Sequence, residues 1–237
     1  MSAQPDGNAG FDATNQEGGV RCKSWPVRIP TGEVTLSGEL GIPESAVGVV
    51  VFAHGSGSSR HSPRNQFVAR TLRDSRIATL LFDLLTSEEE SEDALSGHLR
   101  FNIGLLAQRL VTATQWVANH PQGRSSGLGY FGASTGGAAA LVAAASLGQG
   151  IAAVVSRGGR PDLAGDSLAR VESPTLLIVG ACDDLVLRLN KQAYAQLPCE
   201  KELAVVSRAT HLFEEPGALE EVARLAAQWF RRFLRPR

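Results

Sequence analysis

The chain of 237 residues is 43% hydrophobic and 20% charged, with 23 Lys and Arg set against 24 Asp and Glu. That balance excludes a protein built to coat nucleic acid or an anionic membrane surface. Counts of 25 Gly, 11 Pro and 3 Cys exclude collagen-like and disulfide-scaffold classes, and a chain this long buries a core without staples. Cys22, Cys182 and Cys199 show no CxxC spacing and read as reduced thiols rather than a disulfide framework or zinc site. No basic and apolar leader follows Met1, and the longest apolar run, 138–145, is far short of the roughly 20 residues that span a bilayer. These features predict a cytoplasmic protein that forms no membrane contact.

Residues 1–24 are rich in Gly, Asn, Asp, Gln and Ser and hold little to bury, so a flexible tail is expected, followed by a single domain over 25–237. Val27 and Ile29, then Val34 and Leu36, alternate as half-buried strands do, with Thr31-Gly32 turning between them. From residue 47 the pattern changes. The runs 47–53, 77–82, 151–155 and 175–179 are short, apolar on both faces and closed by polar or Gly-rich turns, as central strands of a parallel sheet are. Helical patterns lie between them, at 67–72, 105–117 and 138–147. Alternating strands and helices predict an α/β doubly wound fold. The acidic run 88–93 reads as a solvated loop or helix start with no function. Last comes the clearest helix, where Leu219, Val222, Ala226, Trp229, Phe230 and Phe233 form one apolar stripe, with Pro216 near its start and Arg231, Arg232 and Arg235 at its end.

Gly132-Ala133-Ser134-Thr135-Gly136 follows the apolar segment 128–131 and opens the Ala-rich helix. A strand–turn–helix setting is what a G-x-S-x-G nucleophile elbow requires, because a tight turn lifts the serine hydroxyl to the sheet edge. A serine hydroxyl is a poor nucleophile without a base and a group that orients the base. Both follow in the order Ser, Asp, His. Asp183 lies in the turn after the run 175–179, and His211 lies after the apolar run 203–206. The separations leave room for a βα unit between each pair, so all three reach the same edge, where open α/β sheets bind ligands. Asp184 competes for the acid role; Asp183 is preferred because it sits at the tip of the turn past Gly180. The plain alternatives are that Asp183 could cap the helix near Leu185 and that His211 could be a satisfied loop histidine. His61, His98 and His120 lie in polar contexts.

His54-Gly55-Ser56-Gly57 ends the strand that begins at Val47, and its small residues expose backbone N–H groups. The N–H groups of Ser56 and Thr135 are the expected oxyanion donors, with His54 and Gly55 facing substrate. As a phosphate loop this stretch fails, since Arg60 stands where a third glycine is needed and no acidic residue is placed for a ribose. Arg157 and Arg160 leave the sheet at the same edge, with Gly158-Gly159 between them, and Arg60 and Arg64 can approach from the other side. Together they predict a pocket for a substrate carboxylate or phosphate. The alternative is that they pair with Asp83, Asp162 or Asp166 and only pin loops.

The residues just named carry a resemblance to the α/β-hydrolase superfamily and, within it, to the dienelactone hydrolase-like branch, over roughly 25–234. It rests on His54-Gly55, Gly132-Ala-Ser134-Thr-Gly136, Gly180-Ala-Cys-Asp183-Asp-Leu-Val186 and Thr210-His211. The resemblance implies an eight-stranded, mostly parallel sheet with its second strand antiparallel. It also implies Ser134, Asp183 and His211 as nucleophile, orienting acid and general base. Enzymes that name the branch use cysteine at the elbow; Ser134 here favours a serine esterase route. The connection between the runs 151–155 and 175–179 is too short for an inserted cap, which suits small soluble substrates. The expected protein is a hydrolase of small esters, thioesters or lactones, a monomer or small homo-oligomer, with no cofactor, metal or nucleic-acid partner. From a different class, the alternative is a silent binding module for a small anionic ligand.

Overall fold

The computed structural model describes residues 20–120 and 127–234. The chain opens with a hairpin of β1 (Cys22–Thr31) and β2 (Val34–Pro43), paired from Thr31↔Val34 to Cys22↔Pro43. Alternation holds for Val27, Ile29 and Leu36, which are buried, while Val34 at the turn is half-buried; Leu40 continues the buried series. Pairing extends further back than the sequence suggests: Cys22 to Ser24, read as the end of a tail, belong to β1. Residues 1–19 of that predicted tail lie outside the described residues.

Six further strands complete one sheet: β3 (Gly48–Ala53), β4 (Ala78–Phe82), β5 (Gly127–Ala133), β6 (Ala153–Arg157), β7 (Thr175–Gly180) and β8 (Lys201–Val206). Their order is β1-β2-β4-β3-β5-β6-β7-β8. β2 is antiparallel to both its neighbours, whereas β4, β3, β5, β6, β7 and β8 run parallel. This is the α/β-hydrolase fold that the resemblance implied. Every residue of β3 to β7 is buried, which explains why those strands carry no alternating pattern. Successive side chains instead serve two cores. Val49, Val51 and Tyr130 pack with helices α3 (Ile103–Asn119) and α4 (Thr135–Leu147). Val50, Phe52 and Phe131 pack with α1 (Pro63–Asp74) and α6 (Ala218–Phe233) on the other face. The stripe read in α6 is the buried one, with Val222, Ala226, Trp229 and Phe230 facing the sheet. The first half of α4, Thr135 to Leu141, is buried throughout, and its alanines let helix and sheet approach closely.

Helix α2 (Ser87–Ser96) starts in the acidic run, as one of the two expected readings had it, and Glu88, Glu90 and Glu92 are exposed; Glu89 and Asp93 do more than solvate it. Thr86 caps the helix, and Glu89 reaches back to the Thr86 N–H at 2.8 Å. Glu89 also pairs with the buried guanidinium of Arg109, whose Nη1 donates to the Leu84 carbonyl at 2.7 Å. Asp93 is fully buried; it accepts the Leu99 N–H at 2.6 Å and pairs with Arg100. The run therefore fixes the segment between β4 and α3 rather than merely solvating it. A fifth helix, α5 (Asp184–Gln196), follows β7. The β6–β7 connection consists of short 3₁₀ turns over Pro161–Arg170. Among the described residues no helix is long and apolar enough to cross a membrane.

Candidate active site

Where β5 turns into α4, Ser134 holds φ 52° and ψ −121°, a strained conformation for a residue with a side chain. Packing accounts for it. A Cβ at Gly132 would collide with the Gly136 carbonyl, and one at Gly136 with the Ala53 carbonyl, so the turn can only be this tight with glycine at both places. The Ser134 N–H donates to the Arg157 carbonyl (3.2 Å), and its own carbonyl accepts from the N–H groups of Gly137 (3.0 Å) and Arg160 (3.1 Å). Ser134 is the one residue between Gly132 and Ala140 that is not fully buried.

Asp183 occupies the N-cap position of α5, yet its side chain makes no cap hydrogen bond. Its Oδ2 lies 2.6 Å from His211 Nδ1. A carboxylate oxygen only accepts, so Nδ1 carries the hydrogen and Nε2 keeps its lone pair free. Asp184 is exposed, and its neighbour alone makes this contact. The two turns are fastened to one another where Cys182 N–H donates to the Ala209 carbonyl (2.9 Å), and the His211 loop is braced internally where Thr210 Oγ1 donates to Glu215 (2.6 Å). A Cβ placed on Gly158 would sit 3.5 Å from His211 Cε1, so the imidazole lies over the end of β6, next to the residue whose carbonyl holds the elbow.

The β3 loop meets the elbow from the other side. A Cβ on Gly55 would lie 3.1 Å from Ser134 Cβ, so this glycine permits a close backbone approach. Ser56 N–H donates to Thr135 Oγ1 at 2.9 Å. The Thr135 N–H, first in α4, has no acceptor within its helix. His54 borders a cavity between the β3 loop and α2 but is largely buried, with Nε2 accepting the Leu84 N–H (2.9 Å) and Nδ1 against the Gly55 carbonyl (2.9 Å). Burial pushes its pKa below the ordinary 6.5, and the neutral ring ties the end of β3 to the end of β4.

The arginines divide. Arg60 pairs with Asp83 and Arg160 grips Asp162 through two bonds (2.8 and 2.7 Å), which is the loop-pinning arrangement. Arg157 differs. It is 7% exposed, rests 5.8 Å over the Phe213 ring, and reaches only Asn65 Oδ1, at 3.4 Å. Its Nε has no partner, and no carboxylate pairs with it among the described residues. Burial, with the like charge of Arg64 adding, pushes its pKa down to about 10. Asn65 and Phe213, its partners, carried no signal in the sequence.

A cavity of about 320 Å³ opens between the β3 loop and α2, lined by Gly55, Ser58, Leu84, Leu85, Leu106 and Glu90 among others. Two residues expected to bind substrate, His54 and Gly55, line it; its far wall comes from the acidic run, which carried no functional signal. Among the described residues no group of three or more His, Cys, Asp and Glu is placed to hold a metal ion.

No protein-family model matches the chain. Over 204 residues it is 58% identical to two Mycobacterium tuberculosis proteins, each named "Putative phosphoribosyl transferase", covering 86% of this chain and 45% of each relative. The chain thus spans about half the length of those curated relatives. Among solved structures, a dienelactone hydrolase from Anabaena variabilis is 56% identical with a TM-score of 0.89, covering 90% of this chain and 99% of that one. Est1E from Butyrivibrio proteoclasticus shares the fold at 14% identity and a TM-score of 0.74, covering 87% of this chain and 98% of its own. At 56% identity over nearly the whole of a solved relative, this chain belongs to the dienelactone hydrolase family of α/β-hydrolases.

Proposed function

We propose that the chain is a serine hydrolase of small carboxylic esters, thioesters or lactones, with Ser134 as nucleophile, His211 as base and Asp183 as orienting acid. One observation carries the reading: a strained, accessible Ser134 shares a sheet edge with a His211–Asp183 pair at 2.6 Å. In this mechanism His211 Nε2 takes the hydroxyl proton as Ser134 Oγ attacks the carbonyl carbon. Negative charge gathers on the carbonyl oxygen, where the N–H groups of Thr135 and Ser56 stabilise it. In the resting protein the latter donates to Thr135 Oγ1, which sets its direction beside Ser134. Collapse expels the alcohol or thiol, protonated by His211. Water, deprotonated by the same ring, then releases the acid and restores Ser134. Asp183 keeps its oxygen on Nδ1 throughout and fixes the tautomer.

The substrate is small, and Arg157 suits one with an anionic group. Three free cysteines, Cys22, Cys182 and Cys199, support a reducing, cytoplasmic setting. The transferase name belongs to proteins of which this chain covers 45%, and the residues gathered here are those of acyl transfer. Arg157 also favours a second reading, a silent module that binds an anion. A fluorophosphonate probe separates the two: covalent labelling of the wild type that disappears in Ser134→Ala supports the hydrolase, and an unlabelled wild type supports the module. A panel of activated esters and lactones, with Ser134→Ala as blank, then defines the substrate.

A further inference from the structure

Seen along the sheet edge, Ser134 has two unlike flanks. On the β6 side stand His211 and the Gly158 backbone beneath it. On the β3–β4 side lies the 320 Å³ cavity, which starts at Gly55, the residue in close approach to Ser134 Cβ. In the hydrolase reading the leaving group must take its proton from His211, so the alcohol or thiol portion sits on the β6 flank. With the oxyanion fixed by Thr135 and Ser56, the remaining substituent of the tetrahedral carbon points the other way, towards β3 and β4.

We infer that this cavity is the acyl pocket, and that it selects a short-chain or single-ring acyl group whose far end is not anionic. The inference rests on the hydrolase reading. Leu84, Leu85 and Leu106 give the pocket an apolar wall, suited to the carbon stem of an acyl group. Three charged residues border the cavity, and two cancel: Asp93 pairs with Arg100 and with the backbone of the same loop. Glu90 is left over. Its carboxylate makes no hydrogen bond or ion pair among the described residues, and it stands at the open rim of α2. Desolvation, with the nearby charge of Asp83 adding and those of Arg60 and Arg100 opposing, raises its pKa. A carboxylate at the end of the acyl group would meet like charge there, while a methyl, hydroxyl or ammonium would not. The stem is read by apolar contact and the end by charge.

The wall opposite α2 is the β3 loop, where Ser58 is half-buried and supports no residue of the triad. Ser58→Trp should fill the cavity. Turnover is measured on two ester series, 4-nitrophenyl esters with acetyl, butanoyl or hexanoyl groups, and acetate esters of alcohols of the same lengths. For Ser58→Trp the hexanoyl-to-acetyl ratio of kcat/KM should fall by about tenfold or more, since each methylene excluded from an apolar pocket weakens discrimination substantially. The alcohol-length ratio should stay as in the wild type. Glu90→Lys, an exposed helix position, supplies the second arm. It should raise the ratio of the adipoyl half-ester, which ends in carboxylate, to the hexanoyl ester by about threefold, a modest effect because solvent screens the rim. Fluorophosphonate labelling of both variants checks that the nucleophile is intact. If labelling persists but Ser58→Trp alters the alcohol series, or neither series, the acyl-pocket inference is wrong while the hydrolase reading stands. An unlabelled wild type overturns both.

Discussion

His54 and His211 make an instructive pair. Each follows a strand at the carboxyl edge of the sheet, and each sits in a loop that touches the neighbourhood of Ser134. His54 spends both ring nitrogens on backbone groups of Gly55 and Leu84 and is buried. His211 spends one nitrogen on Asp183, and its side chain is 39% exposed. The first is a rivet. The second leaves Nε2 without a partner among the described residues. Residue type and loop position are shared, so what separates structure from chemistry is whether a nitrogen is left over and whether solvent or substrate can reach it.

The largest expected effect falls on the His211 side. Ser134→Ala and His211→Ala should each remove turnover by about 10³-fold or more, and the double variant should lose little beyond either, since the residues act as a unit. Asp183→Asn should also be severe, by about 10²-fold or more, because an amide can present its N–H to Nδ1 and favour the wrong tautomer. Asp184→Asn should leave kcat close to wild type. Steady-state kinetics on one activated ester decides the matter, and damage from Asp184→Asn alone would reassign the acid.

His54 should answer through stability. His54→Ala leaves the buried Leu84 N–H unpaired, a loss of about 1–3 kcal/mol in unfolding free energy. The pH response has a definite sign. Burial lowers the folded-state pKa of His54 below 6.5, whereas the unfolded ring binds its proton near that value. Between the two, the unfolded chain holds more protons, so this contribution is full above about pH 6.5 and declines on acidification. Thermal melts should therefore show a slope just below pH 6.5 that flattens in His54→Gln. An unchanged slope would mean that His54 stays accessible to protons in the folded state.

Much of this was legible beforehand, and the reasons differ by region. The central strands announce themselves because a sheet covered on both faces demands unbroken apolar runs, and the elbow because only glycine fits at 132 and 136. Asp183 and His211 were readable because order and spacing place them past consecutive strands. What escaped depends on side chains meeting across the fold. Nothing local tells that Glu89 will find Arg109, that Asp93 will be buried, or that Arg60 will take Asp83 while Arg157 takes no carboxylate. β6 begins at Ala153 rather than Ile151 for a similar reason: its register follows its pairing with β5 and β7, starting at Gly129↔Ala153 and Val154↔Thr175.

Arg157 tests whether the β6 flank adds recognition to catalysis. Among the described residues its guanidinium lacks a carboxylate, so an anionic substituent on the substrate is a fitting partner. Arg157→Met should raise KM for an anionic ester by about tenfold, in line with the loss of one charge-assisted hydrogen bond, while a neutral ester of equal size changes far less. Equal changes on both esters, or a fall in melting temperature alone, would make Arg157 a structural cation that braces Asn65 and Phe213.

The smallest effect is expected at the tie between the flanks. Ser56 N–H is held by Thr135 Oγ1 at 2.9 Å, and Ser56 is exposed between two glycines, one of them at φ 68°. Such a loop has little else to aim its N–H at the oxyanion. Thr135→Val keeps the shape and the Thr135 N–H but removes the acceptor, so Ser56 is free to turn towards water. A neutral hydrogen bond contributes about 0.5–1.5 kcal/mol, which translates to a loss in kcat of a few-fold, up to about tenfold. Thr135→Ser restores the hydroxyl and should recover most of the rate. KM should move little, because the hydrogen bond to the oxyanion strengthens only as charge develops. A Thr135→Val variant as fast as the wild type would mean that the hydroxyl merely occupies the donor at rest, and that His54 and the Arg60–Asp83 pair suffice to hold the β3 loop in place.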